Sequence, residues 1–155
     1  MHAYYCLPVD MWLEWLEDEE KLLDADEDPE TLLSLYDRAI GDYRYFKVCR
    51  RFCKLVLRYH EEGRVTAQRV REAHEQVLQI YGLDVNRSHK FWEPYLKFEL
   101  GLLEGMPESE ERGKQIGRVR SIYRRRVMFP TSDSLITWNE YCEWERDEAE
   151  KLRVE

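Results

Sequence analysis

The sequence predicts an all-α chain whose helices pair antiparallel and stack as a right-handed α-solenoid of about three repeats plus an unpaired C-terminal helix. Three observations carry that reading. An aromatic unit recurs: Trp12, Trp15, Asp18 and Glu19 in WLEWLEDE, Trp92, Tyr95, Phe98 and Glu99 in FWEPYLKFE, and Trp138, Tyr141, Trp144 and Glu145 in WNEYCEWE share one spacing. Between the copies run segments whose apolar residues follow the helical period. Nothing in the chain alternates like a strand between hairpin turns.

Steps of three residues turn a helix by about 300°, so the recurring aromatics spread over a wide arc and such a helix needs two neighbours. In the first repeat, about residues 9–43, Trp12, Trp15 and Glu19 mark the aromatic helix and Leu32, Leu35, Tyr36, Ala39, Ile40 and Tyr43 its partner. Asp28 and Pro29 read as the N-cap and first residue of that partner. In the second repeat, about 45–82, Cys49 takes the tryptophan slot, with Phe52 and Leu55 following in frame. Its partner carries Val70, Ala73, His74, Val77, Leu78 and Tyr81, and Gly63 and Gly82 sit where the two helices stop. The third repeat, about 88–129, places Trp92, Tyr95, Phe98 and Glu99 before a long break, EGMPESEERGK, and then Val119, Ile122, Tyr123 and Val127. FPTSDS leads into a fourth aromatic helix, about 134–150, with no partner after it. Trp12, Cys49, Trp92 and Trp138 are offset by 37, 43 and 46 residues, the range of stacked helical hairpins. Residues 1–155 therefore form a single repeat region. HAYYCLP reads as the tail of a preceding partner helix, so a fragment of a longer solenoid is expected.

Charge is distributed unevenly. The net charge of −8 divides into −11 over residues 1–43, +8 over 44–130 and −5 over 131–155. The overall sign opposes steering of nucleic acid, while a local basic face remains open. No apolar run approaches a membrane span, the start MHAYYCLPVDMW lacks the regions of a signal peptide, and no membrane partner is expected; the reading is intracellular. Cys6, Cys49, Cys53 and Cys142 show no zinc or redox spacing and are read as free thiols, and neither metal nor cofactor is expected. Large aromatics at helical spacing are expected to pack between helices, and His74, on the Tyr36 and Tyr123 position, to be a packed ring. The acidic runs EDEE and ERDEAE lie on helix faces without the enclosed setting that perturbs a catalytic carboxylate, and no catalytic motif accompanies them. No enzymatic activity is expected.

The arginines form the polar feature with a pattern. Aligning the partner helices puts Arg69 with Arg118 and Arg71 with Arg120, and the third adds Arg124 and Arg125, all off the apolar stripe. Equivalent positions on stacked repeats become neighbours, so these six are expected to form a basic, partner-binding strip. Arg126 instead falls on the Ala39 and Val77 position, where its stem should thread the helix interface. The exposed faces of Trp138, Tyr141 and Trp144 are expected to drive self-association.

The aromatic unit, together with LYDRAI at 35–40, resembles the half-a-TPR (HAT) repeat of RNA-processing proteins. In order and local wording, WLEWLEDE, RVREAHEQVLQIYGL with FWEPYLKFE, and RVRSIYRRRVMFP with WNEYCEWE are similar to the N-terminal HAT region of the U4/U6 snRNP recycling factors, the family of the squamous cell carcinoma antigen recognised by T cells. The resemblance implies a nuclear, non-catalytic scaffold of pre-mRNA splicing whose HAT solenoid binds snRNP components and other proteins such as deubiquitinases. It also implies that RNA is read mainly by RRM domains elsewhere in such chains. No RNP motif occurs in these residues, so RNA contact is expected to be indirect or weak. HAT scaffolds of pre-mRNA 3′-end processing or ribosome biogenesis share the repeat and form the alternative, as does a direct RNA-binding surface.

Overall fold

The computed structural model describes residues 6–24 and 27–154, with side chains to residue 151. Among these residues the secondary structure is entirely helical: α1 (Val9–Leu22), α2 (Glu30–Asp42), α3 (Phe46–Glu61), α4 (Ala67–Tyr81), α5 (His89–Glu104), α6 (Glu110–Val127) and α7 (Ser134–Val154). The chain divides into two compact units, Met1–Ile80 and Tyr81–Glu155. Of HAYYCLP, residues 2–5 lie outside the described residues, and residues 6–8 precede α1 without being helical.

In the first unit α1 packs on α2, and the two helices bury Trp12, Leu16, Leu32, Leu33, Tyr36 and Ala39. The Trp12 indole donates to Asp42 Oδ2 at 3.1 Å, so this large apolar ring keeps its one polar atom bonded. Asp28 Oδ1 accepts from the Glu30 amide at 3.0 Å, which satisfies a donor at the start of α2. Tyr36 stacks on Phe52 of α3 at 5.5 Å. Phe52 is completely buried, a term of about 1.5–3 kcal/mol by transfer from water. Cys49 and Cys53 fill buried slots of α3, and burial pushes both thiols well above their usual range, Cys49 to about 12. Gly63, at φ +74°, turns the chain out of α3 in the left-handed region that side chains disfavour. Arg64 follows it, lies over the Tyr59 ring at 4.6 Å, and donates to the carbonyls of Asp24 and Glu27 at 2.9 and 2.7 Å. The connection between α1 and α2 is thereby tied to the end of α3. His74 is fully buried on α4, its Nδ1 2.9 Å from the Val70 carbonyl.

In the second unit, Asp84 Oδ1 accepts from the amides of Asn86 and Arg87 at 3.0 and 2.9 Å, a local turn that aims the chain into α5. The Trp92 indole donates to the Gly82 carbonyl at 3.1 Å. The break after α5 is shorter than the composition of EGMPESEERGK suggests, because α6 already begins at Glu110. Ser109 Oγ accepts from the Arg112 amide at 3.3 Å, and Glu110 and Glu111 occupy the first turn, where acidic side chains favour the helix dipole. The last helix runs past residue 150 to Val154, and it is not free of neighbours: it lies along α6. Among the described residues no helix is long and apolar enough to cross a membrane.

Candidate partner-binding surface

From 112 to 127 the chain holds seven Lys and Arg residues and no Asp or Glu. A helix with that composition can pack only if its inward cations find carboxylates on other helices. Three do. Arg112 is buried and bonds Glu148 of α7 at 3.2 Å, Glu108 at 2.7 Å and the Leu103 carbonyl at 3.0 Å. Arg120 holds Glu145 of α7 in a two-pronged pair at 2.5 and 2.8 Å. The hydrogen bond from Arg120 keeps the Glu145 carboxyl below its ordinary value. Arg126, with a side chain only 3% exposed, pairs with Asp133 and lies 3.6 Å from Glu93. Burial pushes the Asp133 carboxyl up, but hydrogen bonds from Arg126 and Thr131 outweigh it and the net shift is downward.

The remaining cations of α6 face outward. Lys114, Arg118 and Arg124 are exposed and Arg125 is half-buried over the Trp92 ring at 5.1 Å. Lys114 bonds Glu110 and Glu111 of its own helix. The hydrogen-bond partners of Arg118 and Arg124 are neutral: Gln115 Oε1 at 3.2 Å and the Tyr141 hydroxyl at 3.3 Å. Arg69 and Arg71 belong to α4 in the other unit. Arg69 reaches Asp37 at 2.8 Å and Glu30 at 3.3 Å, and Arg71 is half-buried. Of the six arginines singled out in the sequence, Arg118, Arg124 and Arg125 thus share the outer side of one helix, whereas Arg69 and Arg120 are held by carboxylates within the chain.

The aromatic positions divide by depth. Trp12, Tyr36, Ala39, Phe52, Trp92, Tyr95, Glu99 and Tyr123 are buried. Trp15 is half-buried, stacked on Trp12 at 5.2 Å with its indole on Glu19 at 2.9 Å, and Phe98 is half-buried on α5. On α7 the rings of Tyr141 and Trp144 lie 5.1 and 5.6 Å from Tyr123 and are half-buried, while Trp138 is 50% exposed. The open apolar surface lies at the corner between α6 and α7 instead: Met128 (72% exposed), Phe129, Leu135 (73%) and Ile136. Val85, also exposed, accepts at its carbonyl from the Ser132 amide at 3.2 Å, which brings the loop before α5 against this corner.

Of the polar core of this unit, the sequence singled out Arg126 and Glu99 but not Arg112 and Gln115. Gln115 and Glu99 are both fully buried, and Gln115 Nε2 donates to the Glu99 carboxylate at 2.6 Å and to its carbonyl at 2.8 Å. Arg112, Gln115, Val119, Ile122 and Arg126 step along one buried side of α6, so polar residues at stripe positions were the available signal. A cleft of about 360 Å³ between Leu103, Arg112, Trp144 and Glu148 has its buried cation and carboxylate already joined to each other. Among the described residues no group of side chains is arranged to hold a metal ion.

Known proteins are similar to this chain in sequence along nearly all of its length. A curated relative from Homo sapiens, spliceosome associated factor 3, U4/U6 recycling protein, is 28% identical over 150 residues, covering 95% of this chain and 14% of its own. The Pongo abelii protein of that name gives the same figures, and the Danio rerio one is 29% identical over 160 residues, 95% of this chain and 16% of its own. The chain therefore spans about one seventh of the length of these relatives. The model of the Suppressor of forked protein (Suf) family matches residues 1–152, and the chain belongs to that family of HAT-like helical repeats.

Proposed function

We propose that the chain is a non-catalytic protein-interaction scaffold of RNA processing, acting in the nucleus in pre-mRNA splicing and in U4/U6 snRNP assembly and recycling. Family membership and the names of the curated relatives support the setting. The observation that carries the scaffold role is α6, a helix fixed by three inward arginines while Arg118 and Arg124 present charge outward on neutral partners. Its partners are proteins of RNA-processing or snRNP complexes, and RNA is reached through them. Immunoprecipitation of the tagged protein from nuclear extract tests this: U4 and U6 RNA should be enriched, and enrichment should vanish after the extract is stripped of protein. Absence of both RNAs from the precipitate overturns the reading.

Self-association through α7 is a second reading, favoured by the half-exposed ring of Trp138. Sedimentation velocity should then show a dimer that Trp138→Ser abolishes, and a monomer at high concentration overturns it.

A further inference from the structure

We propose that the outer side of α6 and the α6–α7 corner form one docking surface, and that its occupant is an acidic protein segment carrying bulky apolar residues at one end. The inference rests on the scaffold reading and names the partner chemistry. On α6, Lys114, Arg118 and Arg124 are exposed, and the same side continues through Met128, four residues beyond Arg124. Lys114 to Met128 spans about 21 Å at 1.5 Å per residue. Lys114 is already joined to Glu110 and Glu111, so the open cationic stretch is Arg118 and Arg124, about two turns, and the surface is apolar at its end. Arg124 is joined to α7 through the Tyr141 hydroxyl, and Trp138 stands edge-on to Tyr141 at 6.2 Å, which adds a half-exposed ring beside the cationic stretch.

Two features select a protein over a nucleic acid. The end of the surface is mostly aliphatic, with Met128, Leu135 and Ile136 open to solvent, and aliphatic side chains anchor apolar residues where base stacking needs flat rings. Exposed Glu140 and Glu143 on α7, near Trp138 in sequence, repel a continuous phosphate backbone, yet an acidic segment can place its carboxylates along α6 and turn an apolar residue toward the corner. Charge complementarity then sets direction: carboxylates lie along Arg118 and Arg124, and the apolar anchor lies toward Met128. Such a patch is larger than an isolated exposed side chain and is of the kind that marks interaction sites.

Fluorescence polarisation on the 155-residue chain tests the assignment. The probe is a labelled peptide of about 14 residues, enough for four helical turns, with Glu at every third or fourth position and Leu and Phe in its last turn. A second peptide replaces the Leu and Phe by Ser, and a labelled oligouridine serves as the RNA arm. The first peptide should bind saturably. Arg118→Glu with Arg124→Glu, and separately Met128→Ser, should each weaken it about tenfold, a loss of one decade in Kd. All these side chains are exposed, so the helical circular dichroism should be unchanged in both variants. The Ser peptide should bind about tenfold more weakly than the first. Absence of saturable peptide binding up to millimolar concentration overturns the proposal, as does equal binding of the Ser peptide or indifference to the variants. Tighter binding of oligouridine than of either peptide overturns it in favour of RNA. None of these outcomes bears on U4 and U6 recovery by the whole protein, so the two readings fail separately.

Discussion

Arg126 is a cation in a place that aligned helices give to alanine or valine. Its side chain is nearly inaccessible, and it survives there because Asp133, just before α7, and Glu93 of α5 meet its guanidinium. Removing such a cation leaves carboxylates facing each other in a poorly hydrated site, so Arg126→Glu should cost about 3 kcal/mol, read as a lower urea midpoint at unchanged slope. Arg118→Glu, at an exposed site, should change stability by less than about 0.5 kcal/mol. The cysteines give a second residue-scale test. Cys49 and Cys53 are buried and their thiols are raised by desolvation, so a thiol reagent at pH 8 should label Cys6 and Cys142 and reach the other two only on unfolding. Because the folded thiols titrate above the unfolded value of about 8.5, their stabilising effect is complete below that pH and is lost as pH rises toward about 12 for Cys49. The urea midpoint should therefore fall between pH 8 and pH 10, and the fall should be smaller in Cys49→Ala/Cys53→Ala.

At the scale of elements, α7 is held to α6 by three carboxylate anchors: Asp133, just before its first turn, on Arg126, then Glu145 on Arg120 and Glu148 on Arg112. The Asp133 and Glu145 carboxyls titrate below their ordinary values, so the stability they give is present above about pH 4 and is lost as pH falls through the lower folded values. Acidification should release α7 before the other helices. Tryptophan fluorescence should show it as a shift below about pH 4 that is weakened in Trp144→Phe, while helical circular dichroism changes little. The helices themselves were legible because period and capping are local properties: Trp12, Leu16 and Val70 announce their buried sides within a turn or two. The early start of α6 was not, since Arg112 and Gln115 look like solvent residues until Glu148 and Glu99 are placed beside them. Those partners are 36 and 16 residues away in the chain, and no periodicity encodes which cation meets which carboxylate. The same blindness affected the arginines, whose common polarity hid that Arg69 and Arg120 are held by carboxylates while Arg118 and Arg124 bond neutral groups.

Over the whole molecule, the helices that touch most within each unit are successive ones, α1 with α2, α2 with α3, α5 with α6 and α6 with α7. Contacts of that kind close short loops, so the main refolding phase from urea should be complete within milliseconds; the five X-Pro bonds add a slow minor phase, and a phase of seconds that prolyl isomerase does not accelerate would contradict the argument. A chain built from similar apolar stripes faces a difficulty that stability alone does not solve. Two such helices can slide by one turn, about 5.4 Å, and still bury leucines and aromatics against each other. The dry bond between Gln115 and the Glu99 carboxylate is satisfied in one alignment only, and a shifted hairpin would strand both groups. The pair therefore works as a register key for α5 against α6. Glu99→Leu with Gln115→Leu should preserve or raise thermal stability yet give doubled amide resonances for α5 and α6, the mark of two alignments in exchange.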